Sequence, residues 1–176
     1  MFPEMVRTER LLLRRPLPGD ADAIFLAYAQ DHDVTRYLMW RPHSSVETTR
    51  AFIADCDDLW KSLTAYAYVI TGKEDGKPIG MIDFRPERPR ADFGYVLAKS
   101  HWGRGLMPEA ASALIAITLA QPAIFRVQAT CDVDNRASAR VLEKSGMTRE
   151  GLLKRYIMHP NVSPEPRDSF LYAITR

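Results

Sequence analysis

Ser100-His101-Trp102-Gly103-Arg104-Gly105-Leu106-Met107 separates an alternating, β-rich stretch of the chain from a long apolar one. Its two glycines let the backbone turn tightly, and the residues after them begin a helix. The free N–H groups of a first helical turn face forward there, and with the positive end of the helix dipole they suit a pyrophosphate. Taken alone, Gly-x-Gly before a helix fits a plain tight turn equally well. A Walker A loop is excluded because no Gly-Lys-Ser/Thr follows. A dinucleotide-binding fingerprint is disfavoured because the preceding strands read as a meander, with no parallel βαβ unit around the turn.

Outward from this turn the periods change. Upstream, 65–71, 77–84 and 91–97 are β-rich runs separated by Gly72-Lys73-Glu74-Asp75-Gly76 and by Arg85-Pro86-Glu87-Arg88-Pro89-Arg90, which predicts an antiparallel meander. The second of these loops reads as a solvated hairpin. Downstream, 106–120 is an apolar helix ended by Pro122, and Phe125, Val127, Ala129, Cys131 and Val133 alternate with polar residues as in a strand. The segment 135–145 predicts a shorter helix stopped by Gly146 at its C′ position, followed by strands near 147–158 and 168–175. Nearer the start, 9–15 predicts a strand closed by Pro16 and Pro18. Asp20 then caps a helix to about Gln30, with Ile24, Phe25 and Tyr28 on one face. Ser44-Ser45-Val46-Glu47 fits a capping box before Phe52, Ile53, Cys56, Leu59 and Trp60 at helical spacing. Hairpins and crossover helices together imply an α+β sheet whose middle strands part around a ligand.

Composition narrows the function classes. The 176 residues are 46% hydrophobic and 26% charged, values of a folded chain rather than a disordered one, and residues 1–176 read as one domain. A formal charge of +2 is too small to support nucleic-acid binding. The start lacks a basic n-region leading into an apolar h-region, and the apolar run near 113–120 is far shorter than a bilayer span. The expectation is a cytoplasmic protein with no membrane contact. Cys56 and Cys131 lack metal-ligand spacing and His32, His43, His101 and His159 are scattered, so no metal site is readable.

A second motif sharpens the first. Asn135-Arg136-Ala137-Ser138 opens a helix directly after a strand and leads into Val141-Leu142-Glu143-Lys144-Ser145-Gly146-Met147. Asn135 alone reads as a helix cap. Combined with Gly103 and Gly105 one strand upstream, with Thr8-Glu9-Arg10-Leu11-Leu12-Leu13-Arg14 at the start and Phe93-Gly94-Tyr95-Val96-Leu97 before the turn, it resembles the GCN5-related N-acetyltransferase (GNAT) superfamily. The likeness is to its RimJ/RimL-type branch of ribosomal-protein N-terminal acetyltransferases, and it spans almost the whole chain. Two departures stand out. Trp102 takes the place of a leading Arg or Gln, and Met107 replaces a small residue, which is expected to crowd the phosphates.

The resemblance implies a mixed, mostly antiparallel sheet of about seven strands, splayed in the middle and flanked by about four helices. It implies acetyl-CoA as donor, no metal, and direct attack of a primary amine on the thioester, the acceptor being a protein N-terminus or a small amine. Val96, Leu97 and Lys99 would contact the pantetheine, and Trp102, Gly103, Arg104, Gly105, Leu106 and Met107 would hold the pyrophosphate. Asn135 would bond the arm, and Ser138 would stand near the sulfur, as an acid or through orientation and a water relay. The branch's usual base, a Glu, is replaced in the region of Tyr156-Ile157. Asp83 is the leading substitute, or else an outward-facing strand residue, with Glu150 and Tyr156 as weaker candidates. Tyr37, Trp40 and Arg41, with the loop 85–90, would line the acceptor cleft, unless Trp40 simply packs in the core. The resemblance also admits a homodimer. The missing Glu and the bulky Met107 keep open a second reading: a catalytically impaired acyl-CoA-binding or protein-interaction module of the same fold.

Overall fold

The computed structural model describes residues 2–176, and one eight-stranded sheet runs through it in the order β1-β2-β3-β4-β5-β6-β8-β7. The strands are β1 (Met5–Arg7), β2 (Leu11–Arg14), β3 (Tyr66–Gly72), β4 (Pro78–Glu87), β5 (Arg90–Leu97), β6 (Arg126–Asp132), β7 (Thr148–Ile157) and β8 (Arg167–Thr175). The helices are α1 (Ala21–Ile24), α2 (His32–Thr35), α3 (Val46–Lys61), α4 (Leu106–Leu119) and α5 (Arg136–Lys144). The counts exceed the expected seven and four for local reasons. Met5–Arg7 pairs with Leu12–Arg14 as a strand of its own, and Asp31 caps the four-residue α2 by accepting from the N–H groups of Asp33 and Val34.

The expected helix from Asp20 is corrected in form. A 3-10 turn at Pro18–Asp20 leads into α1, and a π-helical turn at Phe25–Ala29 finishes it. The Asp20 carboxylate accepts from Arg14 at 2.7 and 2.8 Å and from the Leu17 N–H at 2.8 Å instead of capping α1. Helix α3 starts one residue later than the capping-box reading, with Ser45 at its N-cap.

Alternation along the strands builds two cores, one on each face. Tyr68, Ile70, Ile82 and Phe84 point toward α4, joining Leu114, Val127 and Leu142. Val69, Met81 and Val96 point the other way, against Ile24, Tyr28, Ile53 and Cys56 from the N-terminal helices. The low amphipathicity of α4 follows from this position: Ala110, Ala111, Leu114 and Ile115 are all buried.

All neighbouring strands are antiparallel except β5 and β6, which pair in parallel over Arg90–Asp92 and Arg126–Gln128 only. Beyond that clasp Phe93–Leu97 and Ala129–Asp132 diverge, and the sheet opens at its centre. Gln128 Nε2 donates to Asp92 Oδ1 at 2.9 Å, closing the paired end. Helix α4 therefore starts beside the open end of β5. Leu114 is fully buried in the larger core, so Leu114→Ala is expected to cost about 2–5 kcal/mol. Urea unfolding followed by circular dichroism measures this.

Candidate active site

The opening between β5 and β6 leads into a cavity of about 690 Å³. At one end lies the turn Trp102–Gly105 and the start of α4. Gly103 and Gly105 both have φ of +73°, a left-handed conformation that glycine adopts without strain. Gly105 is the N-cap and offers no side chain to the first helical turn. The N–H groups of Gly103, Arg104 and Gly105 have no acceptor among the described residues, and those of Leu106 and Met107 lie in the turn where a helix supplies none. Unpaired N–H groups at the positive end of a helix dipole suit an anion.

This turn is braced from across the sheet. Glu109, in the first turn of α4, accepts from Thr8 Oγ1 at 2.6 Å, the Arg10 N–H at 2.8 Å and Arg10 Nε at 2.7 Å. The same Arg10 donates from Nη1 to the Arg104 carbonyl at 2.9 Å. Burial tends to raise the Glu109 carboxyl, but these donors outweigh it and hold it below the usual carboxylate range. The sequence carried this brace in Thr8-x-Arg10 and Glu109, yet the contact spans about a hundred positions and left no local signal.

Of the residues expected to hold the donor, Val96, Leu97, Lys99, Trp102, Gly103, Gly105, Leu106, Met107, Asn135 and Ser138 line the cavity. Trp102 donates from its indole N–H to the Leu97 carbonyl at 2.7 Å, fixing the turn to the end of β5. The Lys99 ammonium is paired with Asp33. The Arg104 side chain is exposed and outside the cavity wall, so only its backbone N–H faces the turn. The Met107 side chain is 2% exposed and belongs to the larger core, while the residue also borders the cavity.

In the middle of the cavity Ser138 Oγ lies 2.6 Å from Tyr95 Oη. Asn135 spends its side-chain carbonyl on the Ser138 N–H at 3.1 Å, which caps α5 and fixes Ser138 on the first turn. Tyr95 went unread as a partner because only the fold brings β5 and α5 together. Burial raises the Tyr95 hydroxyl well above its ordinary value, with the Ser138 bond pulling the other way. Cys131, also on this side, has its thiol pushed up to about 11 by burial.

The acceptor-side expectations divide. Tyr37 lines the cavity. Trp40 instead packs on the smaller core and on His43, at 4.9 Å between ring centres, and Arg41 lines a separate cleft of about 450 Å³ with Asn161 and Val162. Of the loop 85–90, only Arg85 reaches the main cavity; Glu87 pairs with Arg90 at the hairpin tip. Asp83 is not part of the cavity wall itself; it lies behind Arg85 and Gly94, which are, and is bound to Arg85 at 2.5 Å. Burial raises its carboxyl, against the opposing pull of Arg85 and two backbone groups. Glu150 pairs with Arg126 at 2.6 Å on the outer part of the sheet, and Tyr156 is exposed.

Asp132 and His159 complete the cavity wall, and Asn161 and Arg167 brace them from behind. Asn161 Nδ2 donates to the carbonyls of Thr35 and Trp40, each at 2.8 Å, tying the β7–β8 loop to the segment after α2. Buried Asp132, at the end of β6, takes Arg167 Nε at 2.5 Å and Nη2 at 3.0 Å. Burial alone would raise the Asp132 carboxyl, but Arg167 and the Asp134 N–H hold it below the usual range. Among the described residues no cluster of three His, Cys, Asp or Glu could hold a metal ion, and no helix is long and apolar enough to cross a membrane.

The profile of the Acetyltransferase (GNAT) domain family matches residues 10–148. The chain is 31% identical to the uncharacterized N-acetyltransferase YoaA of Bacillus subtilis, over 100% of its own length and 98% of that protein's. It is 27% identical to the ribosomal protein uS5-alanine N-acetyltransferase of Escherichia coli, covering 96% and 89% of the two chains. A solved structure of RimL, a ribosomal L7/L12 α-N-protein acetyltransferase in complex with coenzyme A, superposes with a TM-score of 0.86 at 25% identity, covering 98% of both chains. The chain belongs to the GNAT acetyltransferase family and is an acetyl-CoA-dependent acyltransferase.

Two predictions follow from the geometry. Glu109→Ala releases Arg10 and the Arg104 carbonyl, so affinity for acetyl-CoA is expected to fall at least about tenfold, the loss of one charge-assisted bond at about 1.5–3 kcal/mol; titration calorimetry reads it. The carboxyls of Glu109 and Asp132 have depressed folded pKa values, so the stability they add is present above pH about 4.5 and is lost as pH falls through those lowered values. Melting temperature against pH should drop on the acid side, and Asp132→Asn should flatten that slope.

Proposed function

We propose that the chain transfers an acetyl group from acetyl-CoA directly to a primary amine, with donor and acceptor bound together. The observation that carries this reading is the parting of β5 from β6 beyond Asp92 and Gln128, with the glycine turn at one end and Ser138 at the middle. The strand edge freed on β5 offers backbone groups to the amides of a pantetheine arm, beside Val96, Leu97 and Asn135. Gly103, Gly105, Leu106 and Met107 offer N–H groups to the pyrophosphate, with Trp102 and Lys99 at its rim. Catalysis in this arrangement is chiefly positioning plus proton transfer. Ser138 and Tyr95 stand beside the leaving sulfur as a two-hydroxyl relay.

Tyr37 belongs to the acceptor wall. The acceptor favoured here is the α-amine of a protein N-terminus, a reading supported by likeness to the uS5 and L7/L12 enzymes, whose names record that class. A free small amine is the competing outcome. The test incubates the protein with acetyl-CoA and a mixed panel of N-terminal peptides and free amines, reading thiol release and acceptor mass together. Acetylated peptides are expected, acetylated small amines alone would move the acceptor class, and no product across the panel would refute the function.

Ser138→Ala is expected to lower kcat by about 10²-fold with acetyl-CoA affinity retained, and Tyr95→Phe to lower it less. Unchanged kcat in both would remove the relay.

A further inference from the structure

Alternation along β6 places Cys131 on the face that carries Ser138 and α5, and Asp132 on the opposite face. Beside Asp132, across the opening from Ser138, lies His159. Its side chain is 6% exposed, it lines the cavity, and its Nε2 stands 3.8 Å from Asp132 Oδ2. Both ring nitrogens are buried, and neither has a hydrogen-bond partner of normal geometry among the described residues. A buried imidazole is ordinarily hydrogen-bonded, because an unpaired polar group in a core is costly. An unpaired one in a cavity wall points to a ligand.

The ring is held in place without being used up. The edge of Tyr37 packs against it at 6.3 Å between ring centres, and Asn161 pins the loop just after it. The charged groups facing it are Asp132 on β6 and Arg167 on β8; Arg167 engages the same Asp132 oxygen and leaves that carboxylate ionised.

We infer that His159 is the general base that takes the proton from the acceptor amine, with Asp132 as its positioning residue. This deepens the transferase reading and rests on it. Nitrogen bonds to the thioester carbonyl carbon and gives its surplus proton to the imidazole. The carbon–sulfur bond breaks with its electron pair on sulfur, and the thiolate takes a proton from the Ser138–Tyr95 side. Once the products leave, the imidazolium gives its proton to solvent entering the cavity and the Ser138–Tyr95 pair takes one proton from solvent, which restores both groups with no net change in protons. Base and relay thus lie on opposite faces of the opening, one toward the incoming amine and one toward the departing sulfur. Burial lowers the pKa of His159, with Asp132 and the Leu38 backbone opposing and Arg167 adding to the lowering, so the ring is neutral and able to accept a proton at pH 7.

The test compares the unmodified protein with His159→Gln and His159→Ala in steady-state acetyl transfer, alongside acetyl-CoA calorimetry. A fall in kcat of about 10²-fold or more in His159→Gln, with acetyl-CoA affinity unchanged and partial rescue of His159→Ala by added imidazole, is expected. The unmodified protein, which requires no variant to fold, is expected to show kcat rising with pH through a limb below about 6.5. That limb should be absent from His159→Gln. A kcat within threefold of the unmodified protein, or no such limb in the unmodified protein, would overturn the role of His159 while leaving acetyl transfer intact. No transfer by the unmodified protein would overturn both.

Discussion

Everything in this structure depends on where β5 stops pairing with β6. Three residue pairs hold the two strands in parallel, and after Asp92 and Gln128 the ladder ends while both strands continue. A sheet interior normally pairs every backbone N–H and C=O. Here the central strands leave a run of such groups facing an opening. The fold tolerates this because β4 completes the other edge of β5 through Leu97, and β8 completes the other edge of β6 through Asp132. The split is therefore confined to one line, walled by two well-packed layers.

The chemistry is arranged around that line by long-range ties. Glu109 and Arg10 fix the turn at the mouth, Trp102 ties the turn to Leu97, and Tyr95 meets Ser138 from the opposite strand. On the other face Arg167 holds Asp132, and Asn161 joins the β7–β8 loop to the chain after α2. Sites built this way keep their geometry because each group is held by rigid elements and by second partners. The anion-binding end draws on backbone groups and dipole. The side chains around the middle of the opening are mostly buried, where an unpaired charge is costly: burial favours the neutral forms of Tyr95 and His159, while Asp132 keeps its charge through Arg167.

Local sequence made the architecture legible and left the pairings obscure. The meander, the long apolar helix after Gly105 and the strand–helix unit around Asn135 are encoded in period and in glycine placement, and they appear nearly residue for residue in the structure. The short α2 escaped because its four residues show no period, and the π turn at Phe25–Ala29 because it answers to packing against α3 and β4. The glycine turn and Asn135 stand out because a backbone motif carries them, and the fold brings them to one cavity wall. The opposite wall has no such motif. Trp40 packs on the smaller core and Arg41 lines a separate cleft, placements set by the loop path, while Asp83 lies just behind Arg85 and Gly94 of the cavity wall. His159 looked like one of four scattered histidines until the fold set it beside Asp132. Which way Met107 turns is likewise invisible in a sequence; its side chain belongs to the larger core.

A crystal structure of the protein with acetyl-CoA bound tests the account most directly. The account predicts the pantetheine arm lying between Phe93–Leu97 of β5 and Ala129–Asp132 of β6. The pyrophosphate should sit on the N–H groups of Gly103 to Met107, and the sulfur should approach Ser138 Oγ. Acetyl-CoA bound outside the split, or strands β5 and β6 zipped together beyond Asp92 with the ligand elsewhere, would contradict it.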